Sequence, residues 1–315
     1  MTRGKLIIGG AILTFVLGIG GARAQEQTAP AATFKSSIDM VRVAAVVRDA
    51  KGRFVRDLTA RDFEVLDGGQ TRPISDLQHD LAGISIAMLF DVSGSMEGHL
   101  PNAREAASHV LSWLDSLRDE AAVYTFDTHL DERAPFTLGL RSLPDSMTHV
   151  VPFGATSLHD AVALTARRVG AREGRRRAVV VLTDGSDNAS RLKPEDVSAI
   201  ASAIDVPVYI FGIVPSIDNP SSDSSTHSVE STALAGPLAE LAAWTGGHVF
   251  VASTPGQRSI AARQIIDELR HQYVIAFESS GRPGWHPLVV RARNKDLVVR
   301  ARSGYIAGQS RPTAH

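Results

Sequence analysis

The sequence predicts an α/β protein: a doubly wound, mostly parallel sheet inserted in a small β-sandwich formed by the N- and C-terminal segments. Three observations lead there. Between about residues 82 and 270, short apolar runs alternate with amphipathic stretches, the pattern of buried parallel strands joined by helices. Segments of β character lie on both sides, over 39–80 and after Arg270. Neither flank can bury a convincing sheet alone, because two or three isolated strands are marginal, so the flanks are expected to pair.

Composition narrows the function classes. The chain has 315 residues, 43% hydrophobic and 21% charged, which excludes disorder of the whole chain. A net charge of −1 excludes a globally basic nucleic-acid binder. The absence of cysteine excludes a disulfide scaffold, a Cys-ligated zinc site, a Cys nucleophile and a cysteine-linked lipid anchor.

The elements follow in order. The chain starts Met1-Thr2-Arg3-Gly4-Lys5, runs uncharged from Leu6 to Ala22, and reaches Ala22-Arg23-Ala24 before Gln25. A basic start, an apolar middle and a small-x-small end are the layout of a secretory signal peptide over 1–24. The uncharged stretch has 17 residues, five of them glycine, which is short and weak for a membrane anchor. Cleavage would take three positive charges from the net −1 and leave −4. With no second long apolar stretch, the expectation is an exported protein, periplasmic or extracellular, with no stable membrane span after cleavage.

Residues 25–37, rich in Ala, Thr, Gln and Ser, read as a flexible leader. The N-terminal β segment, 38–81, carries the alternation Val41, Val43, Ala45, Val47, a turn at Ala50-Lys51-Gly52, and a second unit from Phe63 and Val65 to Asp67-Gly68-Gly69. Over 82–270 the strand candidates are Ile84–Phe90, Ala121–Phe126, Ala178–Thr183, Val206–Val214 and His248–Ala252. One helix is expected to turn Ala103, Ala106, Ala107, Val110, Leu111, Leu114 and Leu117 inward. Others are expected over about 157–170, from Pro194, and over roughly 233–244 and 258–270. The C-terminal β segment, 271–307, offers strands Tyr273–Phe277, Pro287–Arg293 and Leu297–Arg302, and 308–315 reads as a disordered tail.

The residues that bear chemistry sit where the strand Ile84–Phe90 runs into Asp91-Val92-Ser93-Gly94-Ser95-Met96. A strand end, a short oxygen-rich loop and a helix start are where open α/β sheets bind ligands. One carboxylate and two hydroxyls without thiol or imidazole suit a hard cation.

An apolar strand followed by Asp-x-Ser-x-Ser resembles the metal-ion-dependent adhesion site of von Willebrand factor type A domains. Two further stretches are similar to that family's other loops, in order: Gly154-Ala155-Thr156-Ser157-Leu158-His159-Asp160-Ala161, and Val180-Val181-Leu182-Thr183-Asp184-Gly185. The resemblance covers about 82–270 and implies a Rossmann-like fold. It also implies that Ser93, Ser95 and Thr156 ligate a divalent cation through hydroxyls, with Asp91 and Asp184 acting largely through water. The ion implied is Mg²⁺ first, with Mn²⁺ or Ca²⁺ as alternatives. An open coordination position would take a carboxylate from a protein partner. The flanks, Gly52-x-x-Val55-x-Asp57-Leu58-Thr59-x-x-Asp62-Phe63-Glu64-Val65 and Arg302-Ser303-Gly304-Tyr305, resemble exported bacterial proteins described only as related to this family.

Other features read as structural. His99 and His159 are expected at the partner-binding rim or just behind the metal ligands. Asp187 is expected to bond within its loop, and Trp244 and Trp285 to pack. Six arginines within 167–177 read as a solvated helix end rather than a nucleic-acid patch. The Ser-, Asp- and Pro-rich loop 215–232 leaves the C-terminal end of a strand, on the face of the metal loops. No His-x-x-x-His, Gly-x-Ser-x-Gly, P-loop or Gly-x-Gly-x-x-Gly occurs. The expected function is non-catalytic: metal-bridged partner binding in adhesion or in assembly of an envelope or extracellular complex. The alternatives are a module whose metal only stabilises the fold, and a metal-dependent hydrolase.

Overall fold

The computed structural model describes residues 40–79, 83–172, 174–203, 205–213 and 236–307. The signal peptide, leader, loop 215–232 and tail expected from the sequence lie outside the described residues.

The N-terminal flank gives β1 (Met40–Arg48), β2 (Phe63–Asp67), β3 (Gln70–Arg72) and β4 (Ile74–Gln78). The middle of the chain gives β5 (Ile84–Asp91), α1 (Leu100–Ser112), β6 (Glu120–Phe126), β7 (Leu130–Leu138), α2 (Leu158–Gly170) and β8 (Arg176–Thr183). It continues with α3 (Pro194–Ala203), β9 (Val208–Ile213), α4 (Pro237–Thr245), β10 (Val249–Ala252) and α5 (Pro255–Arg270). The C-terminal flank adds β11 (Tyr273–Glu278), β12 (Gly284–Ala292), β13 (Val298–Ala301) and β14 (Gly304–Ala307).

The central sheet has the order β10-β9-β8-β5-β6-β7 and is parallel except for β7. All eight residues of β5 are buried. Its side chains alternate between two cores, as the period of two requires. Ile86, Met88 and Phe90 pack with α1 and α5, and Ala87 and Leu89 with α2, α3 and α4. Prolines open α1, α4 and α5, where a missing N–H costs nothing. Thr254 and Gln257 form a reciprocal capping box at the start of α5. Gly246 ends α4 in the left-handed region at φ 83°, and a Cβ there would lie 2.9 Å from the Arg302 nitrogen.

Within the α/β unit, two elements depart from the sequence reading. The edge strand β7 was not foreseen, because its sequence LDERAPFTL alternates weakly and contains a proline. Both features suit an antiparallel edge facing water. Helix α1 stops at Ser112, so Leu117 is 84% exposed rather than inward. The cause is a turn held by carboxylates: Asp115 accepts from the Leu117 N–H, and Asp119 from the Asp115 N–H.

Both flanks contribute to two antiparallel sheets, β13-β1-β11-β4 and β14-β12-β2-β3. A shared core of Val43, Val47, Phe63, Tyr273, Phe277 and Tyr305 lies between them. In β14, Gly304 is pressed against β12: a Cβ would come 2.2 Å from the Trp285 ring and 2.7 Å from the His286 carbonyl oxygen. Trp285 packs there yet stays 48% exposed. The sandwich meets the α/β unit at Glu268 in the last turn of α5. This buried carboxylate accepts from Arg48 of β1 at 3.1 Å and also from Arg300 of β13.

Candidate metal centre

Of the five predicted metal-site residues, Asp91 ends β5, Ser93 and Ser95 follow it, Asp184 follows β8, and Thr156 lies just before α2. Asp91, the last residue of β5, is fully buried. One carboxylate oxygen accepts from the Ser93 N–H at 2.9 Å, and the other from the Thr183 hydroxyl at 2.7 Å. A 3₁₀ turn, Gly94–Met96, follows, and the Ser93 and Ser95 hydroxyl oxygens lie 3.1 Å apart. The 92–94 loop is stitched to the next by two backbone bonds. The Phe153 N–H donates to the Val92 carbonyl at 2.9 Å, and the Gly94 N–H to the Gly154 carbonyl at 3.0 Å. Thr156 is 1% exposed. Because β5 pairs with β8, Phe90 opposite Leu182, Asp91 lies beside the end of β8 and Asp184 follows one residue beyond it.

The electrostatics single out Asp91. Burial pushes its carboxyl up to about 6, and the nearby Asp184 charge adds to this, against the hydrogen bonds from Ser93 and Thr183. None of its hydrogen-bond partners among the described residues is cationic. Two carboxylates and three hydroxyls, with no soft donor, fit a hard divalent cation, whose charge would offset the buried carboxylate. Among the described residues no three His, Asp or Glu side chains gather as a metal-binding group, so a cation here would lean on hydroxyls.

The turn after Asp184 grips the start of α2. Asn188 Oδ1 accepts from the Thr156 N–H at 2.8 Å, and the Thr156 carbonyl accepts from the N–H groups of Asn188 and Ala189 at 3.1 and 3.0 Å. Asp187 accepts from the His159 N–H at 3.0 Å and also contacts the ring Nδ1. Burial raises the Asp187 carboxyl, but the bonds from His159 and Ser190 outweigh it and hold it well below the usual carboxylate range. Asp160 in turn accepts from the N–H groups of Arg191 and Leu192. His159 is therefore not at the rim: it is 8% exposed, its ring enclosed against Asp187. His99 is half-buried just before α1. Thr183 and Asn188 were not foreseen as site residues. A threonine closing an apolar strand beside the motif was the available signal for the first; nothing local marked the second.

The surrounding surface is uneven. Val151 and Phe153, at 79% and 80% exposure, stand on the loop next to the site. A cavity of about 450 Å³ opens beside them, lined by Val92, Phe126, His129, Arg133 and Val151 among others. The arginine-rich stretch is mostly structural. Arg172 makes two 2.7 Å bonds to Glu120, Arg175 reaches the Arg118 carbonyl, Arg176 the His79 carbonyl, and Arg177 the Gly170 carbonyl.

An open, mostly parallel sheet with helices on both faces, and oxygen-bearing side chains where such folds commonly bind ligands, define a doubly wound α/β domain. The model of the von Willebrand factor type A domain matches residues 85–263, and the chain belongs to that family. Among solved structures, an aerotolerance-related membrane protein from Bacteroides fragilis is 19% identical, with a TM-score of 0.49 over 59% of this chain and 98% of that one. BatB from Bacteroides thetaiotaomicron is 18% identical, with a TM-score of 0.47 over 59% and 98%. A von Willebrand factor type A protein from Catenulispora acidiphila is 14% identical, with a TM-score of 0.48 over 86% and 73%. No curated protein matches the chain.

Proposed function

We propose that this is an exported protein-binding module. A divalent cation, Mg²⁺ first and Mn²⁺ or Ca²⁺ as alternatives, would be held by Asp91, Ser93, Ser95, Thr156 and Asp184. It would bridge to an acidic residue of a protein partner, in adhesion or in assembly of an envelope or extracellular complex. The observation that carries this reading is the isolation of Asp91. Five acids are buried among the described residues: Asp67, Asp91, Asp119, Glu120 and Glu268. Four have a cationic partner from the chain: Arg72 for Asp67, Arg270 for Asp119, Arg172 for Glu120, and Arg48 and Arg300 for Glu268. Asp91 has none among its described partners. A buried carboxylate without a counter-charge is costly, and a bound cation would remove that cost while offering an open position to a partner's carboxylate.

Export rests on the signal-peptide pattern of residues 1–24. Among the described residues no helix is long and apolar enough to cross a membrane. The reading is non-catalytic. Hydrolysis would require a base beside the ion, and the enclosed His159 ring is bonded to Asp187. His99, Val151 and Phe153 would contact the partner.

The test is calorimetric titration of Mg²⁺ and Mn²⁺ into the chelator-treated protein, with Asp91→Ala as control, followed by a metal-dependent pull-down. Saturable one-site binding lost in Asp91→Ala, with capture of a partner only when metal is present, is the expected result. Metal binding without metal-dependent capture would turn the reading toward a fold-stabilising ion. No binding by a folded protein would end it.

A further inference from the structure

We propose that Asn188 is the positioning residue for the Thr156 hydroxyl, an inference that rests on the metal reading above. Thr156 is the one hydroxyl of the set that lies outside the Asp91–Ser95 turn, so it depends on another element for its position. That element is the turn after Asp184. Asn188 bonds the Thr156 residue from both sides: its side-chain oxygen takes the Thr156 N–H at 2.8 Å, and its own N–H reaches the Thr156 carbonyl at 3.1 Å. The Ala189 N–H shares the same carbonyl at 3.0 Å.

Gripping one residue at both its N–H and its C=O fixes the backbone on either side of its Cα. Threonine is β-branched, so its χ1 is stiff once the backbone is set. The direction of the Thr156 hydroxyl is therefore decided by the main chain that Asn188 holds. Asp187 and Ser190 brace the same junction three and four residues after Thr156, in the first turn of α2, by accepting from the N–H groups of His159 and Asp160. The turn that begins with the second carboxylate, Asp184, thus also carries the residue that places the remaining hydroxyl. Asn188 is itself exposed and takes no part in the hydrophobic cores, so its side chain serves this contact rather than packing.

Partners that orient a metal ligand typically change affinity by about 10- to 100-fold when removed. The experiment is calorimetric titration of Mg²⁺ and Mn²⁺ into the full chelator-treated chain. Wild type, Asn188→Ala and Asn188→Asp are compared, with melting temperature in chelator as the structural readout. Asn188→Ala is expected to weaken metal binding about tenfold or more while its metal-free melting temperature stays within about 2 °C of wild type. Asn188→Asp is isosteric and keeps the acceptor, so it should fold and bind at least as tightly as wild type. Unchanged affinity in Asn188→Ala, or a tenfold loss in Asn188→Asp, would overturn the inference while leaving the metal reading standing. A folded wild type that binds neither cation would remove both.

Discussion

Asp91 and Glu268 are both buried carboxylates of the α/β unit, and they are handled in opposite ways. Glu268, where the unit meets the sandwich, receives guanidinium groups from Arg48 and Arg300. Asp91, at the C-terminal end of β5, receives a backbone N–H and a threonine hydroxyl. The chain supplies its own cations where a buried charge joins two parts of the structure. At the strand ends it surrounds the charge with neutral donors, which orient a carboxylate without cancelling it. One acid is a finished joint; the other is held by neutral donors alone among the described residues.

Breaking the finished joint should have the largest effect. Glu268→Ala leaves Arg48 and Arg300 facing each other without a counter-charge. Removing one partner of a buried ion pair costs about 3–5 kcal/mol, so urea denaturation should report a loss of that size. A loss below about 1 kcal/mol would mean that the joint behaves as a surface pair.

The second prediction has the reverse sign. Asp91→Asn removes a desolvated charge and retains a side-chain acceptor. At pH 7.5 the metal-free protein should be as stable as wild type or more so, by roughly 1–3 kcal/mol, while metal titration shows no binding. A destabilised Asp91→Asn protein would place Asp91 in the same class as Glu268 and erase the contrast.

Arg172→Ala tests an intermediate case. Glu120 loses two charge-assisted bonds but keeps the Ser85 hydroxyl at 2.7 Å and the more distant Arg175. A loss of about 1–2 kcal/mol is expected in chemical denaturation, with metal binding unaltered.

The smallest effect concerns His271, just beyond α5. Its ring stacks on Phe54 at 4.5 Å and its Nδ1 contacts the Asp267 carbonyl. Burial lowers its pKa, and the charges of Arg56 and His79 act in the same direction against Asp267. A lowered imidazole contributes stability that is fully present above its unfolded value near 6.5 and is lost as pH falls from there through the folded value. Melting should therefore fall by about 2 °C between pH 7.5 and 5.5 beyond the change seen in His271→Phe. Parallel pH profiles for the two proteins would count against it.

Much of this was legible in the sequence because the signals are local. The buried strands announce themselves as apolar runs, and Asp91, Ser93 and Ser95 are close neighbours in one loop. Thr156 and Asp184 emerged only through family resemblance. What escaped depends on contacts distant in sequence. The β7 edge exists because β6 offers it a partner, not because its own residues demand a strand. His159 looked like a rim residue from its distance to Thr156 along the chain, but Asp187, 28 residues away, draws the ring inward. The grip of Asn188 on Thr156 spans 32 residues, and neither residue's neighbours hint at the other.

The insertion has a consequence for the order in which the molecule can form. The α/β unit leaves β4 and returns through β11, and these two strands are hydrogen-bonded neighbours, Gln78 opposite Val274. Its two ends are thus held about 5 Å apart, across a closed loop of some two hundred residues whose closure cost grows only slowly with length. During synthesis the first four strands emerge early, yet β1 and β4 lack the β11 strand between them until nearly the whole chain is made. The α/β unit can collapse on local contacts meanwhile, while the sandwich waits with bare strand edges, the state most open to pairing with the wrong chain. A protein ended after Arg270 should accordingly lose solubility before it loses the α/β fold, with the exposed edges of β1 and β4 as the adhesive surface.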